Sequence, residues 1–213
     1  MTTDPELRTP LPVVTIFGTY GAGATQVGHQ VAHRLGLPCF RQAFSSEALE
    51  GGHEDLAQQE AAFLTKMIAV LAAAFSVPVI PDETVARHRQ DLIEENIRQV
   101  NRCAQTGGVV LGRNGALRLA DRPNTVHVLL TGSTEDRIAR AAIEAGITPE
   151  HAARRLERED HVRADMALAL FDWDPRVPDH YDVVVNTSRI PLDGAVEMIL
   201  AAVRAVGALR AQE

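Results

Sequence analysis

Apolar residues along this chain follow two spacings. Short unbroken runs rich in β-branched residues occur at 13–17, 109–111, 126–130 and 182–186, with a briefer one at 38–41. Runs of this kind read as strands of a parallel sheet buried on both faces. Between them the apolar positions spread out. Val27, Val31 and Leu35 fall four apart, which predicts a helix over 25–35 with Gly36 closing it. Similar patterns predict helices over 133–145, 149–170 and 192–209. Thr148 is placed to cap the second of these, followed by Pro149 and Glu150 in positions a helix start favours. Ser45 and Ser46 offer a further N-cap. A polar stretch at 51–60 leads into a helical pattern carrying Phe63, Leu64, Met67, Ile68 and Leu71. Pro78 and Pro81 break that pattern, and a second long one spans 82–105 up to Gly107-Gly108. Strands alternating with helices predict an α/β fold: three layers, about five mostly parallel strands, helices on both faces.

Length and composition refine this picture. A chain of 213 residues suits one well-filled core, so 13–210 is expected to form one domain behind a flexible segment at 1–12. Aromatics are only 4%, so the core must be built from Ala, Val, Leu and Ile. A net charge of -7 argues against nucleic acid as the main partner, though nucleotides need only a few local cations. Cys39 and Cys103 lie in apolar stretches without metal-like spacing and read as buried, reduced thiols. Residues 1–12 lack a basic region followed by an apolar run, so no signal peptide is expected. The most apolar helical stretch, 61–75, is too short to span a membrane and contains Lys66. A cytoplasmic protein with no membrane partner is the expectation. The 61–75 stretch is also more apolar than a one-sided surface helix needs; a homodimer face and ordinary core packing account for it equally well.

One motif carries chemistry. Gly18-Thr-Tyr-Gly-Ala-Gly-Ala-Thr25 follows the first strand and opens the first helix. Glycines there let the backbone approach a phosphate closely, and the exposed amides of Gly18, Gly21, Ala22, Gly23, Ala24, Thr25 and Gln26 would supply donors. The spacing is that of G-x-x-x-x-G-K-[ST], with Ala24 in place of the lysine. Alanine keeps the amide and loses the charge. By analogy with removing one preorganised donor, that costs about 10²- to 10³-fold in rate unless another cation substitutes. Thr25 keeps the hydroxyl that commonly touches Mg²⁺. The alternative is a strand-to-helix turn that binds nothing.

An ordered set of segments resembles a known family. Thr15-Ile-Phe-Gly-Thr-Tyr-Gly-Ala-Gly-Ala24, Val109-Val-Leu-Gly-Arg-Asn-Gly115, Glu135-Asp-Arg137 and Asn186-Thr-Ser188 are similar, in this order, to segments of cytidylate kinase-like proteins. The resemblance runs roughly from 13 to 199 and is thin at 42–80. It implies a P-loop NTPase fold, with 42–105 as a helical acceptor-side insert and about 149–175 as a lid. It also implies transfer of the γ-phosphoryl group of ATP, with Mg²⁺, to CMP or a related nucleoside monophosphate. On this resemblance Arg113 and Asn114 hold the acceptor, and Arg158 or Arg163 in the lid neutralises charge on the transferring group. Asp160 and Arg163 match the family's Asp-x-x-Arg. A solvated lid helix, its arginines paired by Glu157, Glu159 and Asp160, is the competing reading. Arg137 is expected to form a structural ion pair, and Trp173 to anchor the loop after the lid. Tyr20 either packs the glycine loop or stacks on a base. The chain departs from cytidylate kinases proper at Ala24, at Asn114 (aspartate there) and at Leu111 (often acidic there). Two other functions therefore stay open: a nucleotide-binding regulatory protein impaired in catalysis, and a kinase of another small acceptor.

Overall fold

The computed structural model describes residues 10–40, 97–98, 100–112 and 114–210, apart from the side chains of 162, 163, 165, 166, 169–171, 209 and 210. The segment at 1–9, the expected helices over 61–75 and 82–96, the cap at Ser45-Ser46, the dimer face and Arg113 lie outside the described residues. Five strands form one sheet: β1 Val13–Gly18, β2 Cys39–Phe40, β3 Gly108–Leu111, β4 Thr125–Thr131 and β5 Val183–Asn186. Their order is β2-β3-β1-β4-β5 and every pairing is parallel. The order turns about β1, so the loops leaving the carboxyl ends of β1, β3 and β4 meet at one edge, where open parallel sheets place their ligands.

The helices are α1 Ala24–Leu35, α2 Gly115–Arg118, α3 Thr134–Ala145, α4 Pro149–Phe171 and α5 Leu192–Arg210. Each strand shows alternate residues to opposite faces. Val14 and Ile16 of β1 point to one face, where they join Val27 and Val31 of α1 and Val196, Ile199 and Val203 of α5. Val13 points to the other, against Val100, Cys103, Val110 and Leu119. Both faces are thus covered, and five of the six residues of β1 are hydrophobic or β-branched for that reason. On the second face Thr15 Oγ1 and His127 Nδ1 hydrogen-bond at 2.8 Å, deep in the sheet. Burial pushes the His127 pKa down, against the opposing pull of Asp182 and a bond to the Leu119 backbone.

Trp173 is buried against Ala116 and Ala167 and so anchors the chain leaving α4. Two short elements stand outside the expected set: α2, and a 3-10 turn at Pro178–His180. The two cysteines differ from expectation. Both are free, but only Cys103 is buried, its thiol pushed up to about 12 by burial; Cys39 sits half-buried on the edge strand β2. The charged helix α4 is solvated on one side only: Arg154, Glu157 and His161 are exposed. Arg155 and Glu159, one turn apart, are 7% and 4% exposed, because this side of α4 faces protein rather than water.

Candidate phosphate-binding site

The glycine loop leaves β1 at Gly18 and turns into α1 within a few residues. The Thr19 amide donates across to the Leu130 carbonyl of β4 at 3.1 Å, and the Ala22 amide closes a local turn onto the Thr19 carbonyl at 3.0 Å. Gly21 and Gly23 hold φ of 74° and 83°, a region that costs an L side chain strain. They also have no room. A methyl on Gly21 would strike the Arg137 carbonyl, and one on Gly23 would meet Leu192 at 2.8 Å.

Gly23 is the N-cap of α1. It supplies no side-chain cap, and the first turn contains no acid. The first amide to bond back is that of Val27, to the Gly23 carbonyl at 3.0 Å. The amides of Ala24, Thr25 and Gln26 precede it and have no partner within the helix. Together with the helix dipole they make an end that favours an anion. Thr25 and Gln26 are exposed there.

Two of the loop's carbonyls, those of Tyr20 and Gly21, face the other way, onto α3. Arg137 Nη1 donates to the Tyr20 carbonyl at 3.1 Å, and Arg140 Nη1 to the Gly21 carbonyl at 2.6 Å. The described peptide bonds are all trans, so a carbonyl aimed at α3 turns the next amide away from it. Arg137 is buried and held further: Nε donates to the Gly132 carbonyl at 3.1 Å, and Nη1 pairs with Asp160 Oδ2 of α4 at 2.6 Å. The other Asp160 oxygen accepts the Tyr20 amide at 2.8 Å. Arg140 also donates to Oγ1 and the carbonyl of Thr187, at 3.2 and 3.1 Å. Tyr20 packs against the cluster of Ala141, Ala142 and Ala152, and so braces the loop.

The structure therefore gathers Gly18 to Gln26 at one place. Asn114 stands at the neighbouring strand end, just before α2, with Oδ1 buried and unpartnered. Arg158 is half-buried on α4. The side chain of Arg163, like Arg113, lies outside the described residues. Asp160, grouped with Arg163 by its spacing, is bonded to Arg137 and the loop. Spacing does not mark Arg140 and Thr187 as site residues. Arg140 reaches Gly21 across 119 positions and Thr187 across 47. The only local trace is a pair of arginines three apart on the helix after β4.

The sequence model of the cytidylate kinase-like family matches residues 13–189. The chain belongs to this family. Its sheet order and glycine loop are those of the P-loop kinase fold. A cytidylate kinase from Methanopyrus kandleri is 24% identical over 90% of this chain and 92% of its own length. A uronate isomerase from Corynebacterium glutamicum is 32% identical over 51% of this chain, and the chain spans only 21% of that protein's length. A solved structure of an uncharacterised protein from Eubacterium ventriosum superposes with a TM-score of 0.61 at 18% identity, over 91% of this chain and 98% of that one. Ala24, where a P-loop lysine would stand, leaves the loop without a cationic side chain of its own.

Magnesium fits a limited role here. Among the described residues no three of His, Cys, Asp and Glu are placed to hold a metal. The exposed Thr25 hydroxyl in the first turn of α1 is the available ligand. That donor set suits an ion held chiefly by substrate phosphates, as Mg²⁺ commonly is.

Proposed function

We propose that this protein is a phosphotransferase that moves the γ-phosphoryl group of ATP to CMP or a related nucleoside monophosphate, in the cytoplasm. The uncapped, acid-free start of α1 beneath a loop whose carbonyls are pinned backwards supports this reading most directly. The amides of Gly21, Gly23, Ala24, Thr25 and Gln26 would hold the donor phosphates, that of Ala22 being taken by the Thr19 carbonyl. Thr25 would help hold Mg²⁺, which when bound would offset negative charge on the triphosphate. Arg113 and Asn114 would orient the acceptor, and Arg158 or Arg163 would close over the reacting group from α4. Positioning and charge neutralisation are most of what such a transfer needs.

A coupled assay with Mg·ATP and a panel of nucleoside monophosphates tests this. The expected result is turnover of CMP or a close relative that depends on Mg²⁺ and drops in Arg113→Ala. Turnover of every monophosphate at the Arg113→Ala level would end the kinase reading. Ala24, Leu111 and Asn114 support a second one: a nucleotide-binding regulatory protein. Its mark would be a rise in melting temperature with ATP while no product forms. Turnover of a non-nucleotide acceptor alone would point to a kinase of another small molecule.

A further inference from the structure

We propose that Arg140 supplies, from behind the glycine loop, the positive charge that Ala24 withholds from a bound triphosphate. The inference rests on the phosphate reading of the loop. Two guanidiniums touch the loop's carbonyls, and their charges differ in what they face. Arg137 is matched by Asp160 at 2.6 Å, so that pair adds little net field. The acceptors on Arg140 are the Gly21 carbonyl and the hydroxyl and carbonyl of Thr187, all neutral. Among the described residues no carboxylate forms an ion pair with Arg140. The carboxylate it acts on through space is Asp136, which is fully exposed and engaged by the Ser188 and Ser133 hydroxyls.

Arg140 and Gly21 are half-buried, and Ala22 and Gly23, which lead from Gly21 into α1, are buried. Charge acting across such material is screened far less than across water. The contact is also short, 2.6 Å to the Gly21 carbonyl, which fixes the guanidinium against the loop. A lysine at 24 would approach the phosphates from the front. Arg140 is a positioning and electrostatic residue that approaches from the rear without touching the ligand.

Calorimetric binding of Mg·ATP, ADP and adenosine to the folded full chain tests this. Arg140→Gln is expected to weaken ATP about tenfold, ADP less, and adenosine not at all, because the effect follows phosphate charge. Arg140→Lys, which keeps the charge, is expected to stay within about threefold of the natural protein. Adding Ala24→Lys should restore ATP binding to Arg140→Gln and help the natural protein less. Equal ATP binding by Arg140→Gln and the natural protein overturns the inference. So does equal loss of ATP and adenosine, which would make Arg140 only a brace for the loop. If the natural protein binds ATP no better than adenosine, the phosphate reading itself falls; the other outcomes leave that reading standing.

Discussion

Helix α3 starts at Ser133, whose hydroxyl accepts the Asp136 amide, and carries Glu135 and Asp136 in its first turn. Helix α4 starts at Thr148, whose hydroxyl accepts the His151 amide, with Glu150 in its first turn. Helix α1 starts at Gly23, with neither a side-chain cap nor an acid. All three follow short loops, and the same physics governs each start: orphan amides and a positive dipole end seek oxygen and negative charge. Two of them are satisfied from within the chain. Among the described residues nothing fills that role at the third. A Gly cap costs roughly a few tenths of a kcal/mol against Ser or Thr. The cost here is accompanied by further constraint, since Gly21 and Gly23 tolerate no side chain and two arginines hold the loop's carbonyls.

The largest way to break this contrast is to release the loop. Arg137→Met removes three bonds and leaves Asp160 without its cation. Losing one partner of a buried pair costs about 3 to 5 kcal/mol; the lower end applies, since Asp160 keeps 24% of its side chain exposed. Urea denaturation should show a loss of about 3 kcal/mol. Arg137→Met combined with Asp160→Asn should lose less than the two single losses added. A loss under 1 kcal/mol in Arg137→Met would mean the loop does not depend on α3. Next in size is making α1 resemble α3. Gln26→Glu changes shape little and puts a carboxylate in the first turn. Stability should hold or rise by about 0.3 to 1 kcal/mol. ATP affinity should fall by roughly 10- to 100-fold through repulsion at the amides. Unchanged affinity would show that the anion goes elsewhere.

Much of the scaffold was legible because its signals are local. The run Val13 to Phe17 can only be a strand buried on both faces, and it is β1. Thr148-Pro149-Glu150 marks a helix start, and α4 begins there with the Thr148 cap. The four-residue α2 was not legible, since so short a helix has no period to detect. The loop's chemistry was half legible. Its glycines are read from spacing, but the orientation of its carbonyls depends on Arg137, Arg140 and Asp160, which lie 117 to 140 residues away along the chain. Asp160 shows the limit most clearly. The resemblance places it with Arg163 in an Asp-x-x-Arg segment, and only the fold shows that it also reaches Arg137 of α3 and the Tyr20 amide.

A smaller test removes a cap that serves only the fold. Ser133→Ala takes away the acceptor for the Asp136 amide at 3.2 Å and the donor to its carboxylate at 2.7 Å. The expected loss is about 1 kcal/mol in thermal or urea denaturation, with ATP affinity unchanged. A parallel loss of ATP affinity would mean that the two helix starts are coupled, and the contrast drawn above would fail.

The smallest effect is one of pH. The Ser188 and Ser133 hydroxyls hold the Asp136 carboxyl below its ordinary 3.8, with Arg140 adding to them against desolvation. Its own amide and the Thr148 hydroxyl hold Glu150 below 4.5. Each group takes up a proton less readily in the fold than in the unfolded chain. Its contribution is therefore complete above the ordinary value and disappears as pH falls through the lower, folded one. Between about pH 5 and 3 the melting temperature should fall, and Asp136→Asn should fall less steeply from a lower starting point. Matching slopes would remove Asp136 from the account. Gln26→Glu should do the reverse, adding an acid-sensitive step to α1, which carries no carboxylate in its first turn. That variant would then behave at its N-terminus as α3 does, gaining a pH response where the natural chain keeps an open site for an anion.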